Sequence, residues 1–171
     1  MSGTFEAYSD EFNEIVTPDS KLEKICEGLG FTEGPTWFSE GDYLLFSDIR
    51  ASRHRWSEKD GMTTYQWYPQ RANGSARDRN GLFVTCGHAN RNVYRTEANG
   101  AVTVIADTYN GGRLNSPNDI VSKSDNTLWF TDPPYMIKPT EKEQQANYVF
   151  RLDPDGTLVP ADGSGNEEAT G

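Results

Sequence analysis

The feature that most constrains this chain is an apolar run that comes back three times. "YLLFSD" from Tyr43, "LFVTC" from Leu82 and "LWFTD" from Leu128 are alike, and their aligned leucines Leu44, Leu82 and Leu128 lie roughly 40 residues apart. A second run ending at a glycine turn follows each: "HRWSEKDG" to Gly61, "VYRTEANG" to Gly100 and "VFRLDPDG" to Gly156. A third run follows each turn: "MTTYQWY", "AVTVIAD" and "TLVPAD". Short stretches rich in Val, Ile, Thr, Tyr, Phe and Trp, bounded by Gly, Asn, Asp and Pro, read as strands. A multi-stranded unit repeating at about 40–45 residues is the expected blade of a β-propeller. The fold class is therefore all-β, with about three consecutive blades. Helix is expected only as a minor component, in the "KPTEKEQQANY" loop or near the N-terminus.

About ten residues ahead of each aligned leucine stands a segment that would form the innermost strand of its blade: "TEGPTWF", "ANGSARD" and "PNDIVSK". Each carries a polar residue followed by a small or acidic one, at Glu33-Gly34, Asn73-Gly74 and Asn118-Asp119. Innermost strands surround the central channel, so this shared position brings Glu33, Asn73 and Asn118 around one axis. A carboxylate and two amide oxygens suit a hard divalent cation such as calcium. Three independent turn residues are the other reading, since Asn, Asp and Pro favour turns for local reasons.

Composition narrows the partners. A chain of 171 residues has the length of one domain, and 16 basic against 26 acidic residues give a formal charge of −10. That balance argues against a nucleic acid or an anionic membrane surface as partner and favours cations or neutral small molecules. The acidic start "MSGTFEAYSDEFNEIV" shows neither a secretory signal nor a transit peptide, and no stretch is long enough to span a bilayer. Cys26 and Cys86 lack metal-ligand spacing and read as free thiols in a reducing compartment, which places the chain in the cytoplasm.

Taken together, "GLGFTEGPTWF", "YLLFSDI", "RLNSPNDIV" and "LWFTDPPY" resemble the SMP-30/gluconolactonase/LRE-like family of six-bladed propellers, which includes gluconolactonase and regucalcin. The resemblance runs from about Leu29 to about Asp162. It implies a divalent metal, calcium or zinc, on the propeller axis and hydrolysis of a sugar lactone or similar cyclic ester. Glu33 matches the metal-ligand Glu of "EGP", and Asn118 matches the Asn that contacts metal or substrate. Arg113 lies near a substrate-contacting Arg, at a different spacing. Asn73 and His88 are further candidates for contact with substrate. His88 follows the second strand of repeat two, and a proton carrier and a backbone-bonded loop histidine are equally good readings of it.

The resemblance also implies further blades that supply another Asn ligand and an Asp acting as general base, which leaves the base in this chain unknown. Three repeats form a partial propeller over residues 29–162, after an N-terminal segment of residues 1–28. The polar stretch 163–171 reads as a disordered tail. Two repeats depart from the pattern: "SARD" puts Arg77 where repeat three has Ser122 or Lys123 and offers no apolar residue comparable to Ile120-Val121, and His54-Arg55 replace the Val93-Tyr94 and Val149-Phe150 of the other blades. Asp48 and Asp132 are expected to cap turns, and the four tryptophans to pack between blades. A different class stays open: a non-catalytic propeller fragment that binds partners, or itself, through unpaired blade edges.

Overall fold

The structure is a computed structural model that describes residues 5–67 and 71–161, so the tail expected at 163–171 lies outside the described residues. Three four-stranded antiparallel meanders make up the body. Blade one contains β1 (Thr32–Phe38), β2 (Tyr43–Asp48), β3 (Ser52–Ser57) and β4 (Gly61–Trp67). Blade two contains β5 (Ala72–Arg77), β6 (Phe83–Gly87), β7 (Asn92–Thr96) and β8 (Val102–Ala106). A two-stranded hairpin, β9 (Thr108–Tyr109) and β10 (Gly112–Arg113), leads into blade three, formed by β11 (Ile120–Ser122), β12 (Leu128–Asp132), β13 (Tyr148–Leu152) and β14 (Leu158–Pro160). The helical pieces are the four-residue α1 (Phe12–Ile15) and a 3-10 turn at Pro139–Glu141, in the two regions where the sequence allows helix. No helix is long and apolar enough to cross a membrane among the described residues.

The aligned apolar runs form the second strand of each blade. β6 is buried along its whole length, with Val84 and Cys86 in the core, while pleat alternation in β12 buries Leu128 and Phe130. The main core lies between blades two and three, where Val84, Val93, Leu114, Ile120, Phe130 and Phe150 pack together. The seam between blades one and two is poorer in apolar groups, with Phe38, Leu45 and Phe83 at its centre.

The strand ladders pair Ser47 with Arg53, Cys86 with Val93 and Thr131 with Val149, so Arg53-His54, not the expected His54-Arg55, stand where the other blades have Val93-Tyr94 and Val149-Phe150, and Arg53 and Arg77 lie at the seam. The Arg77 guanidinium lies over the Phe38 ring at 4.9 Å and reaches Glu40 through bonds of 2.8 and 2.7 Å, so it joins the blades in a segment that lacks large apolar side chains. Arg53, 1% exposed, sits 4.6 Å over Phe83 and donates to Thr85 Oγ1 at 3.1 Å. His54 bonds Ser52 Oγ at 2.9 Å and packs on Phe46. Two tryptophans correct the expected packing role: Trp37 and Trp67 are 47% and 68% exposed rather than buried between blades.

Candidate functional site

Each innermost strand is irregular at the position where the sequence places its polar pair. The β1–β2 register shifts between Glu33 and Thr36, and the β5–β6 register shifts between Ala72 and Ser75. In blade three the same place lies just ahead of β11, where Asn118 N donates to Thr131 O at 2.9 Å and Thr131 N to Asp119 O at 3.0 Å. Bulges of this kind re-aim side chains and bring backbones close. Here they stack the three pairs against one another. Gly34, at φ +59°, lies directly against the Asn73 carbonyl, and a Cβ on Gly74 would stand 2.6 Å from Asn118 O. Gly74 N donates to that same oxygen at 2.7 Å, and Ser47 Oγ donates to Asn73 O at 3.3 Å.

Two amides and an imidazole meet at this step. Asn73 Nδ2 donates to Asn118 Oδ1 at 2.6 Å and to His88 Nε2 at 2.8 Å. Asn73 is 4% exposed, and its Oδ1 is buried without a partner among the described residues. His88 Nε2 accepts, so the ring proton sits on Nδ1, which is also buried and unpaired. Burial holds the His88 pKa below its ordinary value, against a hydrogen bond with Asn118 that raises it, and nearby Arg71 adds to the lowering.

Glu33 reaches the cluster through backbone, by way of Gly34. Glu33 lines a groove of about 580 Å³ along the inner strands, together with Trp37, Arg77, Asp119 and Val121, and also a smaller cavity of about 260 Å³ beside Leu44 and Phe46. Asp119 is a carboxylate that the sequence reading passed over, although it stands beside Asn118 in the repeated pair. Arg113 lies elsewhere. It is exposed, donates through Nη2 to Asn90 O at 3.0 Å, and shares with His88 a cavity of about 690 Å³. The structure thus brings Asn73, Asn118 and His88 into direct contact, with Glu33 and Arg113 on flanking surfaces. No group of three or more His, Cys, Asp or Glu side chains is gathered for a metal among the described residues.

The loops that lead into the inner strands are fastened by carboxylates. Asp48 accepts from Gly30 N at 2.9 Å and Phe31 N at 3.0 Å. Asp132, fully buried, accepts from Asn115 N and Ser116 N at 2.7 Å each. Burial pushes the Asp132 pKa up to about 6 despite these two bonds and the positive charge of Arg91. Blade two has Gly87 in the corresponding place, and His88 N donates instead to Arg71 O at 3.3 Å.

Three four-stranded meanders whose inner strands meet at a polar step make up the blades of a partial β-propeller. Residues 31–164 match the SMP-30/gluconolactonase/LRE-like region. The chain belongs to that family. It is 29% identical over 175 residues to a gluconolactonase of Zymomonas mobilis, covering 91% of this chain and 49% of that one. A solved structure assigned to the gluconolactonases superposes with a TM-score of 0.82 at 32% identity, over 92% of this chain and 57% of that one. A gluconolactonase from Xanthomonas campestris, described as important in glucose secondary metabolic pathways, gives 0.76 at 32% identity over 84% and 51%. A calcium-binding regucalcin from Agrobacterium tumefaciens shares the fold, with a TM-score of 0.56 at 18% identity over 77% and 43%. The chain spans about half the length of these relatives.

Proposed function

We propose that this chain supplies three blades and part of the axial site of a metal-dependent hydrolase of sugar lactones or similar cyclic esters. The observation that carries the reading is the contact of Asn118, Asn73 and His88 at the step where three inner strands meet, in a chain of this family. Glu33 and Asn118 would hold the cation. The buried Asn73 Oδ1, unpaired among the described residues, supports this reading by leaving the step acceptor capacity to spare, and an all-oxygen donor set suits calcium better than zinc. Such a cation, when bound, supplies Lewis-acid polarisation of a carbonyl.

The remaining work belongs to the chain's own side chains. Asn73 and Asn118 offer amide groups to the hydroxyls of a sugar ring, and their mutual hydrogen bond fixes both rotamers. His88 accepts from Asn73 through Nε2 with its proton on the buried Nδ1, so in this arrangement the ring orients Asn73 toward the substrate. Arg113 stands at the rim of the same cavity. The general base is not among these assignments.

The test uses this chain fused to the second half of the Zymomonas mobilis relative. Gluconolactone hydrolysis by the fusion should be abolished by chelator and by Glu33→Gln, while the chain alone binds calcium weakly and turns over little lactone. Chelator-resistant turnover, or full activity after Glu33→Gln, would sink the metal mechanism. A second reading, a non-catalytic interaction module, is favoured by the apolar residues on outer strands, with Tyr65 53%, Trp67 68% and Val102 51% exposed.

A further inference from the structure

The −10 chain gathers three arginines around the cavity that His88 lines. Arg71 precedes β5, Arg91 lies in the β6–β7 turn, and Arg113 ends β10. Arg91 is the fixed member. Its Nε donates to Leu114 O at 2.7 Å and Asn115 O at 3.0 Å, and its Nη1 lies 3.3 Å from Glu143 Oε1. Its Nη2 is buried and has no partner among the described residues, and Arg91 as a whole is 7% exposed. Two carboxylates also line the cavity, and both are engaged. Glu143 takes Arg91 and the Arg113 backbone N–H, the latter at 2.8 Å, and Glu141 takes the Lys138 N–H at 3.0 Å. The guanidiniums of Arg71 and Arg113 have no carboxylate partner among the described residues, their bonds going to Met136 Sδ and Asn90 O.

We infer that this cavity is an anion subsite, which takes a carboxylate or phosphate carried by the substrate away from its ester ring. The inference rests on the lactonase reading for its substrate and names the class: the lactone of an acidic or phosphorylated sugar. A neutral polyhydroxy lactone presents hydroxyls, which amides such as Asn73 and Asn118 satisfy. Two guanidiniums without carboxylates beside a third with a spare buried N–H match an oxyanion, whose geometry suits the planar guanidinium fork. On a negatively charged molecule such a pocket also counters the general repulsion of anions.

The experiment measures calorimetric binding of inorganic phosphate, D-glucarate and neutral D-sorbitol to this chain at low salt. Phosphate or glucarate should bind at least about tenfold more tightly than sorbitol. The exposed pair Arg71→Gln/Arg113→Gln should lose about tenfold in that affinity, whereas Arg95→Gln, on β7 beside Glu97, should leave it unchanged. Tighter phosphate binding assigns a phosphorylated substrate, and tighter glucarate binding a carboxylate. Equal binding of sorbitol, or unchanged anion affinity in the double variant, overturns the subsite. Because hydrolysis is not the readout, loss of the lactonase reading would leave these affinities intact. Neutral-lactone turnover by the fusion without anion binding would overturn the subsite alone.

Discussion

A side chain at Gly74 has nowhere to go: its Cβ would lie 2.5 Å from Asp119 Cα and 2.6 Å from Asn118 O, both parts of the backbone. Gly74→Ala should therefore cost at least about 1–3 kcal/mol, read from urea denaturation, and should part Asn73 from Asn118. Asp132 makes the second residue-scale prediction. Both of its oxygens accept backbone N–H groups, so Asp132→Asn turns one acceptor into a donor facing a donor and should cost about 1–3 kcal/mol. Its pH dependence has a definite sign. With a folded pKa raised to about 6, the carboxyl favours the fold most when protonated. That contribution is complete below the ordinary carboxylate range and is lost as pH rises through about 6. The Asn variant lacks this titration, so the gap between the two proteins should narrow from pH 4 to pH 7, as denaturation midpoints across that range would show. The repeat makes the polar pairs legible in the sequence because it fixes their register. It hides the link between His88 and Asn73, which depends on where the β6–β7 turn falls in space. Asp119 could have been read from its place in the repeated pair.

Between elements, the seam of blades one and two separates what pattern reveals from what it conceals. The strands and their order follow from apolar runs and glycine turns, which are local signals. Arg53 and Arg77 break the pattern, and their roles depend on rings contributed by the neighbouring blade, Phe83 and Phe38. The two should respond oppositely to mutation. Arg77→Ala should cost about 1 kcal/mol, less at high salt, because its partner Glu40 is 58% exposed and the ion pair is screened. Arg53 keeps a buried charge with Thr85 and Tyr94 as hydrogen-bond partners, its Nε is unpaired among the described residues, and burial lowers its pKa despite Tyr94. Arg53→Met should therefore raise stability by about 1–4 kcal/mol in thermal or urea unfolding, since the apolar stem remains and the desolvated charge goes. The bulges at Glu33 and Asn73 were equally hidden. Glycines mark these places, but the shift in register shows only once the strands are paired.

For the molecule as a whole, blade one offers an open face where Leu44 and Phe46 line a cavity of about 260 Å³ with Ile25 and Cys26, and Val121 and Val149 of blade three are 61% and 47% exposed. Neighbouring blades cover such surfaces in a closed ring. The chain by itself should self-associate with rising concentration, as sedimentation velocity would show, and a monomer with a sharp, concentration-independent melt would contradict this. The count of three blades is legible in the sequence because each is a local meander. The partner for each outer face is not, because a surface pattern does not name what covers it. The fastening of the inner loops differs among the blades in one respect. Blades one and three each lock the entry to the axis with a buried carboxylate, while blade two holds its entry by one main-chain bond and fills the corner at Gly87 with the Asn92 amide and the Tyr94 ring. The two carboxylate-tied entries work as fixed jaws and the middle one as a socket, so new chemistry can be fitted at exposed position 71 with the scaffold on either side left standing.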